Sequence, residues 1–124
     1  MKRDLRLTRK ILEHFEAKNN WPHERSLIIE GYESDIIQYH LQILFEAGYL
    51  NAEPITTAKG RLYDLLPFRL TWQGHEFLDT IRQPKIWGKI TQTLKNKGGE
   101  LSFELIKQTA MKVLEEDFLK HLHS

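Results

Sequence analysis

The sequence predicts a mainly α-helical fold carrying a small antiparallel β wing, and three observations carry that prediction. Glu33 to Leu50, ESDIIQYHLQILFEAGYL, reads as a helix that stops at Gly48 and turns straight into a strand. Arg69 to Ile81, RLTWQGHEFLDTI, reads as a strand that ends at Leu70 and a new helix capped by Thr71. Apolar residues then recur at helical spacing through two further stretches, Ile86–Leu94 and Phe103–Leu122.

The first helix is expected from about Arg3 to Lys18. At 100° per residue Leu7, Ile11, Leu12 and Phe15 fall on one side, and Arg3, Arg6, Arg9 and Lys10 on the other. Asn19-Asn20 and Pro22 end it. Residues 23–32 leave two readings open, because Leu27-Ile28-Ile29 closed by Gly31 suits a short strand or a shortened middle helix. Ser34 or Glu33 opens the second helix, with Ile37, Leu41 and Leu44 as its apolar stripe and His40 on the flank. Gly48 suits its C-terminal cap, since the left-handed conformation costs glycine little.

Residues 49–70 are expected to form a two-stranded hairpin with its tip at Thr57-Ala58-Lys59-Gly60. Pro67 marks an exposed edge or a break in pairing. Gly74 falls on the apolar face of the Thr71-capped helix, where glycine costs about 1 kcal/mol of propensity. Close approach of another backbone would compensate. Pro84 suits the first turn of the next helix. Ser102 caps the last one, whose core stripe is Phe103, Ile106, Ala110, Val113 and Leu114. Helix, hairpin and capped helix in that order build a winged helix-turn-helix. Residues 1–83 are expected to form that domain. Residues 84–124 form a C-terminal helical extension that packs on it or mediates dimerisation, with residues 102–122 as the homodimer contact.

Size and composition narrow the function classes. A chain of 124 residues with 40% hydrophobic content can bury one core. Its formal charge of +1 points to no partner by itself. The absence of cysteine excludes disulfides, thiol catalysis and Cys-based zinc sites. No apolar run approaches the ~18 residues of a membrane span, and the N-terminus MKRDLRLTRK lacks the apolar centre of a signal peptide. A cytoplasmic protein without a membrane partner is expected.

The run Ile37–Leu44 with Glu46-Ala47-Gly48-Tyr49-Leu50 resembles the recognition helix and first wing strand of MarR-, ArsR- and PadR-like regulators. Arg69-Leu70-Thr71-Trp72-Gln73-Gly74 followed by Phe77-Leu78 resembles their second wing strand and following helix. More closely, the chain is similar over roughly residues 1–97 to an uncharacterised family of short bacterial and phage-borne proteins. Its matching pieces are Met1–Leu5, Tyr39-His40-Leu41 with Gly48, Leu70–Asp79 and Trp87. The resemblance implies a transcriptional regulator of phage or mobile-element origin, with duplex DNA as partner.

In such a module Gln38, Tyr39 and Gln42 would read the major groove, and Lys59 and Arg61 at the wing tip, with Arg3 and Arg6, would contact phosphates. The charges oppose this in part. No Lys or Arg occurs from Ser26 to Ala58, where Glu30, Glu33, Asp35, Glu46 and Glu53 are acidic, and phosphate attraction dominates DNA affinity. The alternative is a protein-protein interaction module whose acidic helix face meets a basic partner. Lys85, Lys89, Lys95 and Lys97 add a second cationic stretch without an acid from Ile81 to Gly99. The six histidines show no metal spacing, and His40 reads as a hydrogen-bonded boundary residue. No phosphate loop, nucleophile motif or framed carboxylate pair appears, so neither catalysis nor a cofactor is expected.

Overall fold

The computed structural model describes residues 2–19, 22, 26–56, 58–60, 62–96 and 102–122. Within them the chain forms five helices and a two-stranded antiparallel sheet: α1 (Leu5–Ala17), α2 (Ser34–Glu46), β1 (Leu50–Thr56), β2 (Leu62–Leu70), α3 (Trp72–Ile81), α4 (Pro84–Asn96) and α5 (Phe103–Leu122). Helix α1 starts at Leu5, not at Arg3. The Asp4 carboxylate accepts from the Arg6 and Leu7 amides at 2.9 and 3.1 Å, which makes Asp4 the N-cap and leaves Arg3 outside the helix. Leu7, Ile11, Leu12 and Phe15 are buried, as their spacing predicts.

Residues 26–33 form neither a strand nor a middle helix; residues 23–25 lie outside the described ones. Only Leu27 of the apolar run is buried, and Ile28 is 87% exposed. A run this short finds no strand to pair with. The Tyr32 amide donates to the Ile29 carbonyl at 3.2 Å, closing a turn before a helical turn can form.

Helix α2 buries Ile37, His40, Leu41 and Leu44. It ends in a Schellman motif: the Tyr49 amide donates to the Leu44 carbonyl at 2.9 Å and the Gly48 amide to that of Phe45 at 3.0 Å. Gly48 takes the left-handed conformation this requires, at φ +82°. The chain therefore reverses within two residues and enters β1.

The β1–β2 register pairs Leu50 with Leu70 and Asn51 with Arg69, then Ala52 with Pro67, so Phe68 is the extra residue of a bulge. Pro67 sits at that break in pairing, where its missing N–H is not needed, and it is buried instead of lying on an exposed edge. Thr71 then locks the hairpin's base. Its hydroxyl accepts from the Gly74 amide at 3.0 Å and donates to the Gly48 carbonyl at 2.6 Å, while its own amide donates to the Tyr49 carbonyl at 3.1 Å. A Cβ on Gly74 would stand 2.1 Å from that carbonyl oxygen. The close backbone approach that compensates the glycine is the contact between α3 and the end of α2.

One continuous core joins α1, α2, α3, α4 and the first half of α5, with Leu50 and Leu70 at the base of the hairpin. Ser102 caps α5 by accepting from the Leu105 amide at 3.1 Å. On α5 only Ile106, Ala110 and Val113 are buried. Leu114, expected in the core stripe, is 42% exposed, because it faces an open recess between α3 and α5. Arg82 on the outside binds both Glu16 carboxylate oxygens at 2.7 Å and also pairs with Asp79, tying α1 to the end of α3. This pairing holds the Glu16 carboxyl below its usual range. Lys85 and Asp117 pair across α4 and α5 and depress the Asp117 carboxyl likewise.

Candidate nucleic-acid interface

The outward side of α2 is positioned by its buried side. Ile37, Leu41 and Leu44 face the core, so Gln38, Tyr39 and Gln42 turn toward solvent, the first two half-buried and Gln42 exposed. Gln42 Nε2 donates to Glu46 Oε1 at 3.2 Å. Tyr39 lies edge-on to His40, with ring centroids 5.6 Å apart. All three are of the type that contacts bases or phosphates, yet the amide of Gln42 is engaged by a carboxylate on the same face.

His40 is a structural joint. It is wholly buried, Nε2 accepts from the Asp4 amide at 2.7 Å, and Nδ1 lies 2.8 Å from the Ile36 carbonyl. An acceptor at Nε2 and a donor at Nδ1 require the Nδ1-protonated tautomer. This bond carries the chain before α1 onto the side of α2, and so decides where the N-terminal cations stand.

Those cations line a cleft of about 570 Å³. Lys2, Arg3 and Arg6 form one side, and Lys95 reaches it from the end of α4. Tyr32, just before α2, and Ile36 in its first turn form the adjoining wall. Asp4 is the acid of the cleft, and its carboxylate is spent on the first amides of α1. Burial, with the Asp4 charge beside it, pushes the Tyr32 hydroxyl up from its ordinary value. Lys10 stands 5.5 Å above the Tyr32 ring. The cleft is therefore a cationic recess with an aromatic wall, next to the first turn of α2.

The residues expected to contact DNA are thus only partly assembled. Arg3 and Arg6 come together with each other and adjoin α2. Lys59 is exposed at the hairpin tip. Arg61 lies outside the described residues. Sequence reasoning grouped Lys95 with the other α4 lysines and missed its place beside Lys2 and Arg3. The available signal was Leu94, whose burial fixes the direction of its neighbour, but which element Leu94 packs on was not readable. Arg9, further along α1, pairs with Glu13 at 2.6 Å and lies 4.6 Å over the Trp87 ring.

A second recess, about 530 Å³, lies between α3 and α5 and is mostly apolar. Trp72 stands 74% exposed on its rim. No described helix is long and apolar enough to cross a membrane.

Comparison with known proteins places the chain. Residues 2–100 match the family described as Hypothetical protein (DUF2513), and the chain belongs to that family. It is also similar to a Haemophilus influenzae protein described as "Uncharacterized protein", 34% identical over 119 residues that cover 94% of this chain and 98% of that protein. No solved structure matches the chain significantly.

Proposed function

We propose that this family member is a small, non-catalytic DNA-binding protein of the winged-helix type, acting in transcription regulation and derived from a phage or mobile element. The observation that carries the reading is the cationic cleft of Lys2, Arg3, Arg6 and Lys95 against the first turn of α2. It supplies the phosphate contacts that α2 itself lacks. In this reading α2 lies in the major groove, Gln38, Tyr39 and Gln42 face base edges, and the hairpin tip with Lys59 and Arg61 reaches the backbone. The order α2, hairpin, Thr71-capped α3 supports it; residues 26–33, without a helix, depart from a full helix-turn-helix.

The test is titration of labelled duplexes from the protein's own gene neighbourhood at low and moderate salt. Binding is expected at ~50 mM salt, and its absence there sinks the reading. Arg3→Ala with Arg6→Ala should weaken binding to all sequences and reduce the salt slope by ~1 per lost contact. Glu46→Gln should strengthen binding, since it removes a carboxylate charge from the reading face.

A second reading is favoured by the Gln42–Glu46 contact itself. A helix face carrying Asp35 and Glu46 without a cation suits a basic protein surface. Loss of DNA binding combined with capture of a cationic peptide would support that reading.

A further inference from the structure

The side of α5 that turns away from the core is apolar along its outer three turns. Met111, Leu114, Phe118 and Leu122 recur at i, i+3, i+7 and i+11, the spacing of one continuous helical face. They are 69, 42, 63 and 63% exposed, and Leu119 beside them is 48% exposed. This stripe runs directly into the recess between α3 and α5, since Met111 and Leu114 belong to both. Phe77, Ile81, Ile106 and Ala110 form the recess floor, and exposed Trp72 forms its outer wall.

The area decides that something covers this face. Fully buried aromatic side chains account for ~150–250 Å² each. At the exposures above, Trp72 and the five α5 residues together present on the order of 700 Å². A monomer's largest apolar patch is ~300–600 Å², whereas each partner of a standard interface buries ~800 Å².

We infer that the occupant is a second copy of this chain, with the two α5 helices antiparallel about a two-fold axis at the Met111–Leu114 turn. The face is self-complementary. It carries a projection, Phe118 with Leu122, and a recess of matching character one to two turns away along the same helix. A two-fold axis between them seats each copy's projection in the other's recess, which closes the assembly at two. Met111 of one copy then packs on Leu114 of the other, twice.

This inference is independent of the DNA reading, and its test uses the intact chain. Light scattering and sedimentation across micromolar dilutions should give a mass of twice 14.7 kDa that falls on dilution. Phe118→Glu should raise the dimer dissociation constant at least about thirtyfold, the effect of a hot-spot residue, while circular dichroism stays unchanged because Phe118 is exposed in the single chain. A monomer mass for the unaltered chain throughout that range overturns the inference. So does a dimer that Phe118→Glu leaves intact.

Discussion

The joint around Tyr49 and the outer half of α5 use the same materials to opposite ends. At the joint, a helix stop, a strand start and a helix start meet, and each exposed backbone group there finds a partner within the chain. Thr71 alone makes three of those bonds, and Tyr49 stacks on Phe77 with centroids 4.7 Å apart. Along α5 beyond Val113, the backbone is satisfied by the helix itself, so the helix continues even where its apolar side chains Leu114, Phe118, Leu119 and Leu122 stay exposed and its tie to α4 is the surface pair Lys85–Asp117. Backbone satisfaction is local in a helix and tertiary at a joint. A region of the first kind can therefore be left for a partner, whereas one of the second kind cannot.

The sharpest way to break the comparison is Gly74→Ala. The added Cβ meets a backbone oxygen at 2.1 Å, and neither α3 nor the turn after α2 can shift without breaking the Thr71 bonds. A loss above ~4 kcal/mol, the range of exceptional single mutations, or failure to fold is expected in urea denaturation. Little change would show that the joint yields as easily as a surface.

Leu41→Ala should cost about 2–5 kcal/mol in the same assay, the range for a buried leucine, since Leu41 is 1% exposed at the centre of the α2 stripe. His40→Leu keeps volume but leaves the Asp4 amide without its acceptor. It should cost about 1–3 kcal/mol, the penalty of one orphaned buried donor. It should also loosen the N-terminal arm, read as faster amide exchange at residues 4–6.

Glu16→Gln tests a contact at the margin of the joint's surroundings. Its pair with Arg82 is partly exposed, so solvent screening limits it to the ~0.2–1 kcal/mol of surface ion pairs. The sign follows from the depressed carboxyl. The contribution is complete above the ordinary value of 4.5 and is lost as pH falls through the lower folded value. Urea midpoints of Glu16→Gln and the unaltered chain should differ at neutral pH and converge in acid. Smallest of all, Phe118→Ala should change stability by no more than ~0.5 kcal/mol at concentrations where the chain is single, as for surface positions generally. A larger loss there would mean that α5 folds back on its own chain.

Helix faces and stops were the most legible parts of the sequence. The α2 stripe, the Gly48 stop, the Thr71 cap and the Ser102 cap depend on residues within a few positions of one another, and the structure has all four. The reading failed where the outcome depends on what lies opposite. Leu27-Ile28-Ile29 has the composition of a strand but no partner edge. Leu114 has the spacing of a core residue, but it faces the open recess between α3 and α5. Half of the candidate site was legible for the same reason. Arg3 and Arg6 fall on one side of a short segment, while Lys95 enters from a helix that begins more than 75 residues later.

By itself the sequence determined where helices run, where they stop and which side chains each turns inward, because periodicity, capping and glycine conformation act within one or two turns. Tertiary structure alone decided that Gly74 receives the Tyr49 carbonyl, that His40 holds Asp4, and that four cations share one cleft. It also decided that the end of α5 is left bare. Each of these depends on which surfaces face one another, and that is set by the packing of all five helices together.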